Sequence, residues 1–284
     1  MEIKELKGLA VANSIKEQIV SKVKRLKANG VNPCVAILRV GDNPDDMAYE
    51  NGATKRMAGM EIDVKHITLD GDISEENCLD AIEKLNRDET VHGVLILMPL
   101  PKHIREDAVR KALSPEKDID GITSANMARL FMQREGMVPC TPKGVVELLK
   151  YYEIPLQGKR VLIIGRSLIV GKPLALMLLN ENATVTIAHS RTENLSKLSS
   201  EFDIVVCAIG KARFLTKEFV KDGAVIIDVG INPTPDGGIT GDVEYETVSK
   251  KASAITPVPG GVGSVTTTIL AKQLVETCER QYLK

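Results

Sequence analysis

The sequence lacks the features that mark membrane, secreted or nucleic-acid-binding proteins. No apolar stretch approaches the roughly 18 residues of a membrane span, and the charged start, Met1–Glu5, leads into no apolar segment of a signal peptide. The formal net charge is only -1 and like charges do not run together, so no basic surface for nucleic acid is indicated. We therefore expect a cytoplasmic protein whose partner is a small molecule, not a nucleic acid or a membrane.

Cysteine and histidine patterns typical of disulfides or metal sites are also missing. The 5 cysteines are odd in number and include no Cys-x-x-Cys pair, and the 4 histidines are dispersed along the chain. The sequence therefore predicts reduced, mostly structural thiols and no bound catalytic metal.

What the chain does contain is a repeated alternation of helical and strand-like segments. Its 284 residues, 43% of them hydrophobic, have the length of about two domains. Continuous apolar runs separated by helices predict an α/β fold with a parallel sheet covered on both faces. The first block contains predicted helices at 10–27, from about 47, and at 74–86, with predicted strands at 34–40, 64–69 and 93–98.

A second block begins near Lys143, after the proline-containing stretch 139–142, and has the order of a nucleotide-binding domain. A helix entered by a proline follows its first strand, as is common for such elements. The predicted helix spans 173–179, and the predicted strands span 161–164, 184–187, 204–208 and 224–228.

The loop from Gly165 to Pro173 joins the first strand and helix of this block. A glycine-rich turn here would let backbone N–H groups and a helix N-terminus contact a pyrophosphate. The spacing departs from Gly-x-Gly-x-x-Gly, because Ser167 occupies the second glycine position and Gly171 comes one residue late. On the residues alone, the loop is either a cofactor loop or a structural strand-to-helix turn.

The segment from His189 to Thr192, after the second strand, indicates which cofactor would bind. NAD-binding Rossmann folds usually carry Asp or Glu there for the ribose 2′-hydroxyl. The hydroxyl of Ser190 and the guanidinium of Arg191 suit a 2′-phosphate instead, and Arg166 could add a second guanidinium. The pattern predicts a preference for NADP, and the alternative is a solvated loop with ordinary surface charges.

Taken together, the motifs resemble one family over nearly the whole chain: the methylenetetrahydrofolate dehydrogenase/cyclohydrolase family of the bacterial FolD type. Each motif alone is weak, but their order and spacing leave little room for another family. They are Val-Gly-Asp-Asn-Pro (40–44) with Tyr49, Pro-Leu-Pro (99–101), Lys-Asp-Ile-Asp-Gly (117–121), Pro-Cys-Thr-Pro-Lys-Gly (139–144), the loop 165–173, Asp-Val-Gly-Ile-Asn (228–232), Gly-Asp-Val (241–243) and Thr-Pro-Val-Pro-Gly-Gly-Val-Gly (256–263).

The resemblance implies two domains with the active site in the cleft. A folate-binding α/β catalytic domain would comprise residues 1–143 and 264–284, and a Rossmann-type NADP-binding domain with a central parallel sheet would comprise residues 144–263. The implied reaction is oxidation of 5,10-methylenetetrahydrofolate to the methenyl form with NADP, often followed by hydrolysis to 10-formyltetrahydrofolate. Family members are commonly homodimers through the cofactor domain.

The resemblance also implies roles for individual residues. Asp120 matches the pterin-binding aspartate, Tyr49 the tyrosine bordering the substrate, and Lys55 a second family lysine; without the family, Asp120 reads as a turn aspartate. The other implied substrate-binding residues are Pro99, Leu100, Pro259, Gly260 and Gly261. The implied cofactor-binding residues are Gly165, Arg166, Ser167, Val170, Gly171, Pro173, His189, Ser190, Arg191, Thr192, Ala208, Gly210, Gly230, Ile231 and Asp242.

The chain departs from the family where the active-site lysine is usual. Four residues after Tyr49 stands Ala53, Leu97 replaces a glutamine that bonds that lysine, and Ser264 replaces a proline. The lysine and glutamine are thought to manage proton transfer and water activation in the cyclohydrolase step, which alanine and leucine cannot do. We therefore predict a dehydrogenase with weak or absent cyclohydrolase activity.

Three alternatives stay open at this point. Lys55, a water or Tyr49 could take over the hydrolytic step, which would leave a fully bifunctional enzyme. A non-catalytic folate- or NADP-binding protein would show no NADPH production. A Rossmann dehydrogenase acting on another substrate would show no folate-dependent turnover.

Overall fold

The computed structural model describes residues 3–282 as a succession of helices and parallel strands. Up to residue 131 the elements are β1 (Lys4–Glu5), α1 (Gly8–Ala28), β2 (Cys34–Val40), α2 (Pro44–Ala58), β3 (Asp63–Leu69), α3 (Glu75–Arg87), β4 (Gly93–Ile96), α4 (Glu106–Ala112) and α5 (Ser124–Phe131). From residue 140 they are α6 (Cys140–Tyr151), β5 (Arg160–Ile164), α7 (Gly171–Asn180), β6 (Thr184–Ala188), α8 (Leu195–Ser199), β7 (Ile204–Cys207), a 3₁₀ turn (Lys217–Phe219), β8 (Val225–Asp228), β9 (Asn232–Pro233), β10 (Ile239–Thr240), α9 (Tyr245–Val248), β11 (Ala254–Ile255) and α10 (Gly263–Tyr282).

One compact unit comprises Ser14–Cys140 and the chain from Thr267 onward. Its sheet has the order β3-β2-β4, and both pairings are parallel. Every residue of β2 after Cys34 is buried, as expected for the central strand of a sheet covered on both faces. This unit carries the residues that the resemblance assigns to the pterin.

The second compact unit comprises the chain up to Asn13 and Thr141–Thr266. Its six-stranded sheet has the order β1-β11-β8-β7-β5-β6, with every pairing parallel, and β9 and β10 form a separate hairpin. The strand order reverses between β5 and β7, so the carboxyl ends of these two strands form a topological switch point. The loop that begins at Gly165 lies there, because it follows β5 directly.

The predicted two-domain α/β architecture with parallel sheets is therefore confirmed. The start of the chain differs from the implied division: β1 pairs with β11, which joins the first residues to the unit with the six-stranded sheet. A two-residue strand has no periodicity from which a sequence could reveal its pairing.

The predicted elements match the structure closely, with small shifts at their ends. Helix α2 begins at Pro44 instead of near Met47, because the Asn43 side chain caps it by accepting from the backbone N–H of Asp45 at 2.9 Å. Among residues 3–282, no helix has the length and apolar character needed to cross a membrane.

Candidate active site

Helix α2 presents Tyr49 beside the segment that carries Asp120. Glu50, Ala53 and Met57 form the buried face of this helix, whereas the side chain of Tyr49 is 39% exposed. Burial of the phenol, together with the charge of Asp120, raises the pKa of Tyr49 above its ordinary value. Tyr49 therefore remains protonated at neutral pH and can donate a hydrogen bond.

The Asp120 segment is held by close backbone packing. A Cβ at Gly121, whose φ is +62°, would lie 2.4 Å from the carbonyl carbon of Val138, and a Cβ at Gly93 would lie 2.4 Å from the Ile119 side chain. A side chain at either position would clash with these neighbours, so both glycines are needed for the close packing. Asp120 is thereby fixed in position at the end of the motif.

Asp120 is half-buried, and its carboxyl group can accept hydrogen bonds from a ligand. Its Oδ1 accepts a hydrogen bond from the backbone N–H of Cys140 at 3.3 Å. Burial raises the pKa of Asp120 to about 6, although hydrogen bonds from Cys140 act in the opposite direction. At neutral pH the group is a carboxylate with most of its acceptor positions available to a ligand.

The other aspartate of the same motif, Asp118, has a structural role. It is fully buried, and its carboxylate accepts bonds from the backbone N–H groups of Ile122 (2.9 Å) and Thr123 (2.8 Å) and from the Asn126 side chain (2.9 Å). Asp118 therefore stabilises the turn that follows it, and the binding role of Asp120 stays a prediction.

The positions of the missing lysine and glutamine are apolar and buried. Ala53 is fully buried and Leu97 is 6% exposed, so neither offers a polar atom for activating a water. Lys55 lies on the exposed side of α2, away from the face of Ala53. Of the other implied folate contacts in this unit, Pro99 is exposed, whereas Leu100 is buried in the apolar core.

A buried ion pair next to Tyr49, between Arg39 and Glu50, was missed from the sequence, and Glu50 also contacts the exposed His66. Glu50 accepts from Arg39 Nε at 2.8 Å and lies 2.6 Å from His66 Nδ1. Burial alone would raise the pKa of Glu50, but the bonds to His66 and Arg39 outweigh it and lower the pKa. The network ties α2 to β2 and β3, and the only sequence signal for it is an acidic residue on the apolar face of that helix.

In the other unit, the loop 165–171 has the geometry of a cofactor loop. A Cβ at Gly165 would lie 2.3 Å from the Ala208 carbonyl oxygen, and one at Gly171 would lie 2.1 Å from the Gly165 carbonyl oxygen. Ser167 explains the departure from the usual glycine pattern, because its hydroxyl accepts from the N–H groups of Val170 (3.1 Å) and Gly171 (3.4 Å) at the start of α7. The side chain of Arg166 is exposed, and Pro173 is buried in the first turn of the helix.

A tight turn after β6 presents Ser190 and Arg191 to solvent. The backbone N–H of His189 donates to the Thr192 hydroxyl at 2.9 Å, and the N–H of Arg191 donates to His189 Nδ1 at 3.2 Å. His189 and Thr192 therefore shape the turn, whereas the exposed hydroxyl and guanidinium are available to a ligand.

Asp242 anchors the loop that follows β7. It is fully buried, and its carboxylate accepts from the backbone N–H groups of Ile209 (2.7 Å), Gly210 (3.0 Å) and Lys211 (2.7 Å) and from Asn232 Nδ2 (3.0 Å). Its side chain therefore holds the loop that follows β7, and its predicted role in cofactor binding stays a prediction.

Three more implied cofactor positions border this anchor. Ala208 is half-buried at the end of β7, Gly230 has no room for a side chain beside the Asp242 carboxylate, and the side chain of Ile231 is 61% exposed. Asp228 accepts backbone bonds from Gly230, Asp242 and Val243, and burial raises its pKa to about 6.

The remaining implied substrate residues belong to this same unit. Pro259 and Gly260 are exposed, and Gly261 is buried. The N–H of Gly8 donates to the Gly260 carbonyl at 2.8 Å, and a Cβ at Gly8 would clash with the Gly261 carbonyl oxygen at 2.0 Å. The start of α1 therefore fixes the conformation of this loop.

Comparison with known proteins agrees with this geometry. Residues 6–120 match the family described as tetrahydrofolate dehydrogenase/cyclohydrolase, catalytic domain, and residues 139–282 match its NAD(P)-binding domain. A protein of Alkaliphilus oremlandii named bifunctional protein FolD is 49% identical over 278 residues, which cover 98% of each chain. One of the same name from Clostridioides difficile is 46% identical over 277 residues, covering 97% of this chain and 96% of its own.

Solved structures match over the whole fold as well. The bifunctional FolD methylenetetrahydrofolate dehydrogenase/cyclohydrolase of Campylobacter jejuni superposes with a TM-score of 0.96 at 41% identity, covering 98% of this chain and 99% of that one. The Trypanosoma brucei dehydrogenase-cyclohydrolase, complexed with NADP and an inhibitor, superposes with a TM-score of 0.94 at 33% identity, covering 99% of both chains. The resemblance predicted from the motifs is confirmed: the chain belongs to the tetrahydrofolate dehydrogenase/cyclohydrolase family of enzymes.

Proposed function

We propose that this enzyme oxidises 5,10-methylenetetrahydrofolate to 5,10-methenyltetrahydrofolate with NADP and has little or no cyclohydrolase activity. The observation that carries the first part is the half-buried Asp120 carboxylate beside the protonated Tyr49. The observation that carries the second is the apolar, buried character of Ala53 and Leu97.

Asp120 is suited to the pterin for two reasons. A carboxylate can accept hydrogen bonds from the pterin amino group and a ring N–H, and such charge-assisted bonds are about twice as strong as neutral ones. The oxidised product is a delocalised cation, so a nearby negative charge also favours its formation. Tyr49 would border the substrate and donate a hydrogen bond from its phenolic O–H to an acceptor atom.

The cofactor site fits NADP. The chain packs too closely at Gly165 and Gly171 for a Cβ at either position, so the turn between β5 and α7 is tight enough for its backbone to approach a pyrophosphate. Ser190 and Arg191 would hold the 2′-phosphate, and the complex of the Trypanosoma brucei relative with NADP supports this choice. When bound, the cofactor supplies the hydride acceptor, and the reaction then depends mainly on positioning.

The second candidate is a fully bifunctional enzyme that also makes 10-formyltetrahydrofolate. The names of its relatives favour this candidate, since those at 49% and 46% identity are called bifunctional. The buried side chains at positions 53 and 97 favour the first proposal.

We also propose that the enzyme works as a homodimer in the cytoplasm, joined through the NADP-binding unit. Exposed apolar side chains in that unit, Leu179 (56%) and Ile239 (43%), support such an interface because a dimer could cover them. Light scattering during gel filtration should give twice the 30.9 kDa chain mass.

The direct test is reduction of NADP and, separately, of NAD by the enzyme with methylenetetrahydrofolate. We expect kcat/KM to be at least about tenfold higher with NADP, since one charge-assisted contact to the 2′-phosphate is worth about 1.5–3 kcal/mol. Arg191→Ala should lower kcat/KM for NADP by about tenfold or more and leave that for NAD within about twofold. Lys197→Ala, which removes a neighbouring exposed cation, is the control. Equal kcat/KM values for the two cofactors in the unaltered enzyme would contradict the preference.

The pH dependence of folate use should report the ionisation of Asp120. The pKa of Asp120 is raised to about 6, and only the carboxylate can accept both pterin bonds. At saturating NADP, kcat/KM for methylenetetrahydrofolate should therefore be level above pH 7 and fall by about tenfold per pH unit below about 6. Because the pKa of Asp228 is also about 6, Asp120→Asn is the necessary control. If the bend near pH 6 persists in that variant, Asp120 is not its source.

A further inference from the structure

A buried glutamine on the last helix, Gln273, connects the two chain segments that surround Asp120. It is 6% exposed, and its Nε2 lies 2.8 Å from the Ile119 carbonyl oxygen and 2.9 Å from the Val138 carbonyl oxygen. Its Oε1 accepts from the backbone N–H of Val138 at 3.0 Å. Burying an amide is unfavourable unless its hydrogen bonds are made, and here both ends of the amide are bonded.

Both segments are adjacent to Asp120. Ile119 precedes Asp120 directly, and Cys140, at the end of the other segment, donates its backbone N–H to Asp120 Oδ1 at 3.3 Å. Gly121 packs against Val138 so closely that a Cβ would clash. Gln273 lies far from both segments in sequence and is bonded to both, so it fixes the distance between them.

The thiol of Cys140 extends this arrangement. Its Sγ lies 3.2 Å from Gln273 Nε2, and its S–H donates to the Ile119 carbonyl oxygen at 3.3 Å. Burial and the nearby Asp120 charge raise the pKa of Cys140 well above its ordinary value, which keeps the group as S–H. The thiol hydrogen-bonds the Ile119 carbonyl, so the side chain of Cys140 joins its own segment to the residue that precedes Asp120.

We propose that Gln273 is a positioning residue for folate binding, which acts by holding the Ile119 carbonyl and the Cys140 thiol so that the Asp120 carboxylate is correctly oriented. The proposal rests on the proposed function, in which Asp120 binds the pterin. It predicts that changes at Gln273 alter folate binding and leave cofactor binding unchanged.

The test is Gln273→Met, which preserves side-chain volume and removes every hydrogen bond of the amide. We expect KM for methylenetetrahydrofolate to rise about tenfold, KM for NADP to stay within about twofold, and the bend in the pH profile to move from its unaltered position. Thr277→Val is the matched control, because Thr277 is buried one turn later on α10, and its hydroxyl bonds the Gln273 carbonyl at 2.9 Å and lies 3.8 Å from Met137 Sδ, not against Ile119 or Cys140. It should lower the melting temperature and leave both KM values unchanged.

A second pair of variants decides the matter if Gln273→Met does not fold. Cys140→Ala, which removes the side-chain bond to the Ile119 carbonyl, should raise KM for methylenetetrahydrofolate, and Cys140→Ser, which keeps a donor at that place, should restore it partly. Folate KM within twofold of normal in Gln273→Met, or identical folate KM values for the two Cys140 variants, overturns this inference alone. An unaltered enzyme without folate-dependent NADP reduction overturns the proposed function, and this inference with it.

Discussion

Purified enzyme given 5,10-methenyltetrahydrofolate without NADP should hydrolyse it no faster than buffer does. Water needs a group that takes up its proton as it attacks, and general acid–base catalysis contributes about 10²–10⁴-fold. The two positions where the family places the responsible groups hold Ala53 and Leu97, both buried and without polar side-chain atoms. The loss of methenyl absorbance over time, against a buffer blank, measures the result.

Introducing a lysine and a glutamine at these two positions should produce cyclohydrolase activity. We expect Ala53→Lys combined with Leu97→Gln to hydrolyse the methenyl compound about a hundredfold faster than the unaltered enzyme. The pair must be changed together, because Ala53 is fully buried and an ammonium there needs a partner. Glu50, one turn earlier on the same buried face, already binds Arg39 and His66.

The matched control is Ala53→Met combined with Leu97→Met, which adds volume at position 53 without adding a proton-transfer group. Hydrolysis well above the buffer rate by the unaltered enzyme would contradict the proposal and support the bifunctional alternative. Lys55→Ala would then show whether the exposed lysine of α2 carries that activity, since it is the nearest lysine on the same helix.

Much of the fold followed from local patterns. The buried strands are short continuous apolar runs, so β2 and β5 could be placed from sequence to within one residue. Asp120 is assigned to the pterin because the motif around it matches the family, and that role stays a prediction. The structure adds that the carboxylate of Asp118 accepts bonds from Ile122, Thr123 and Asn126.

Other features depend on pairings between distant residues, which local patterns do not encode. Strand β1 is defined only by its partner β11, and Gln273 is one of several polar residues on its helix, with nothing in the sequence to set it apart. The network of Arg39, Glu50 and His66 joins a strand, a helix and a second strand. In each case the contact is visible only in the folded structure, where residues distant in sequence lie close together.

The bonds of Asp242 also join residues that are distant in sequence. Removal of its carboxylate should impair cofactor use severely. Its carboxylate holds the three successive N–H groups of residues 209–211 and the Asn232 amide. In Asp242→Ala these donors lose their acceptor, and the loop at the carboxyl end of β7 loses its fixed conformation. We expect kcat/KM for NADP to fall about a hundredfold, which corresponds to about 2.7 kcal/mol of lost binding and orientation.

The effect on stability should be smaller than the effect on cofactor use. An orphaned buried donor costs about 1–3 kcal/mol, but residues 209–211 are exposed, so water can replace part of the lost bonding. We expect the free energy of unfolding to drop by about 1–3 kcal/mol. The melting temperature gain on adding NADP should nearly vanish, because a ligand stabilises only in proportion to its affinity.

Two further variants test whether cofactor use depends on the hydrogen bonds that Asp242 accepts or on negative charge in this unit in general. Asp242→Asn keeps the shape but directs an NH₂ group at N–H donors, so it should resemble Asp242→Ala in KM for NADP. Asp236→Ala removes an exposed aspartate after β9 in the same unit and should leave that KM unchanged. Folate KM should be within twofold of normal in all three variants, since Asp120 belongs to the other compact unit. A normal KM for NADP in a folded Asp242→Ala enzyme would show that the buried carboxylate stabilises the domain without shaping the cofactor site.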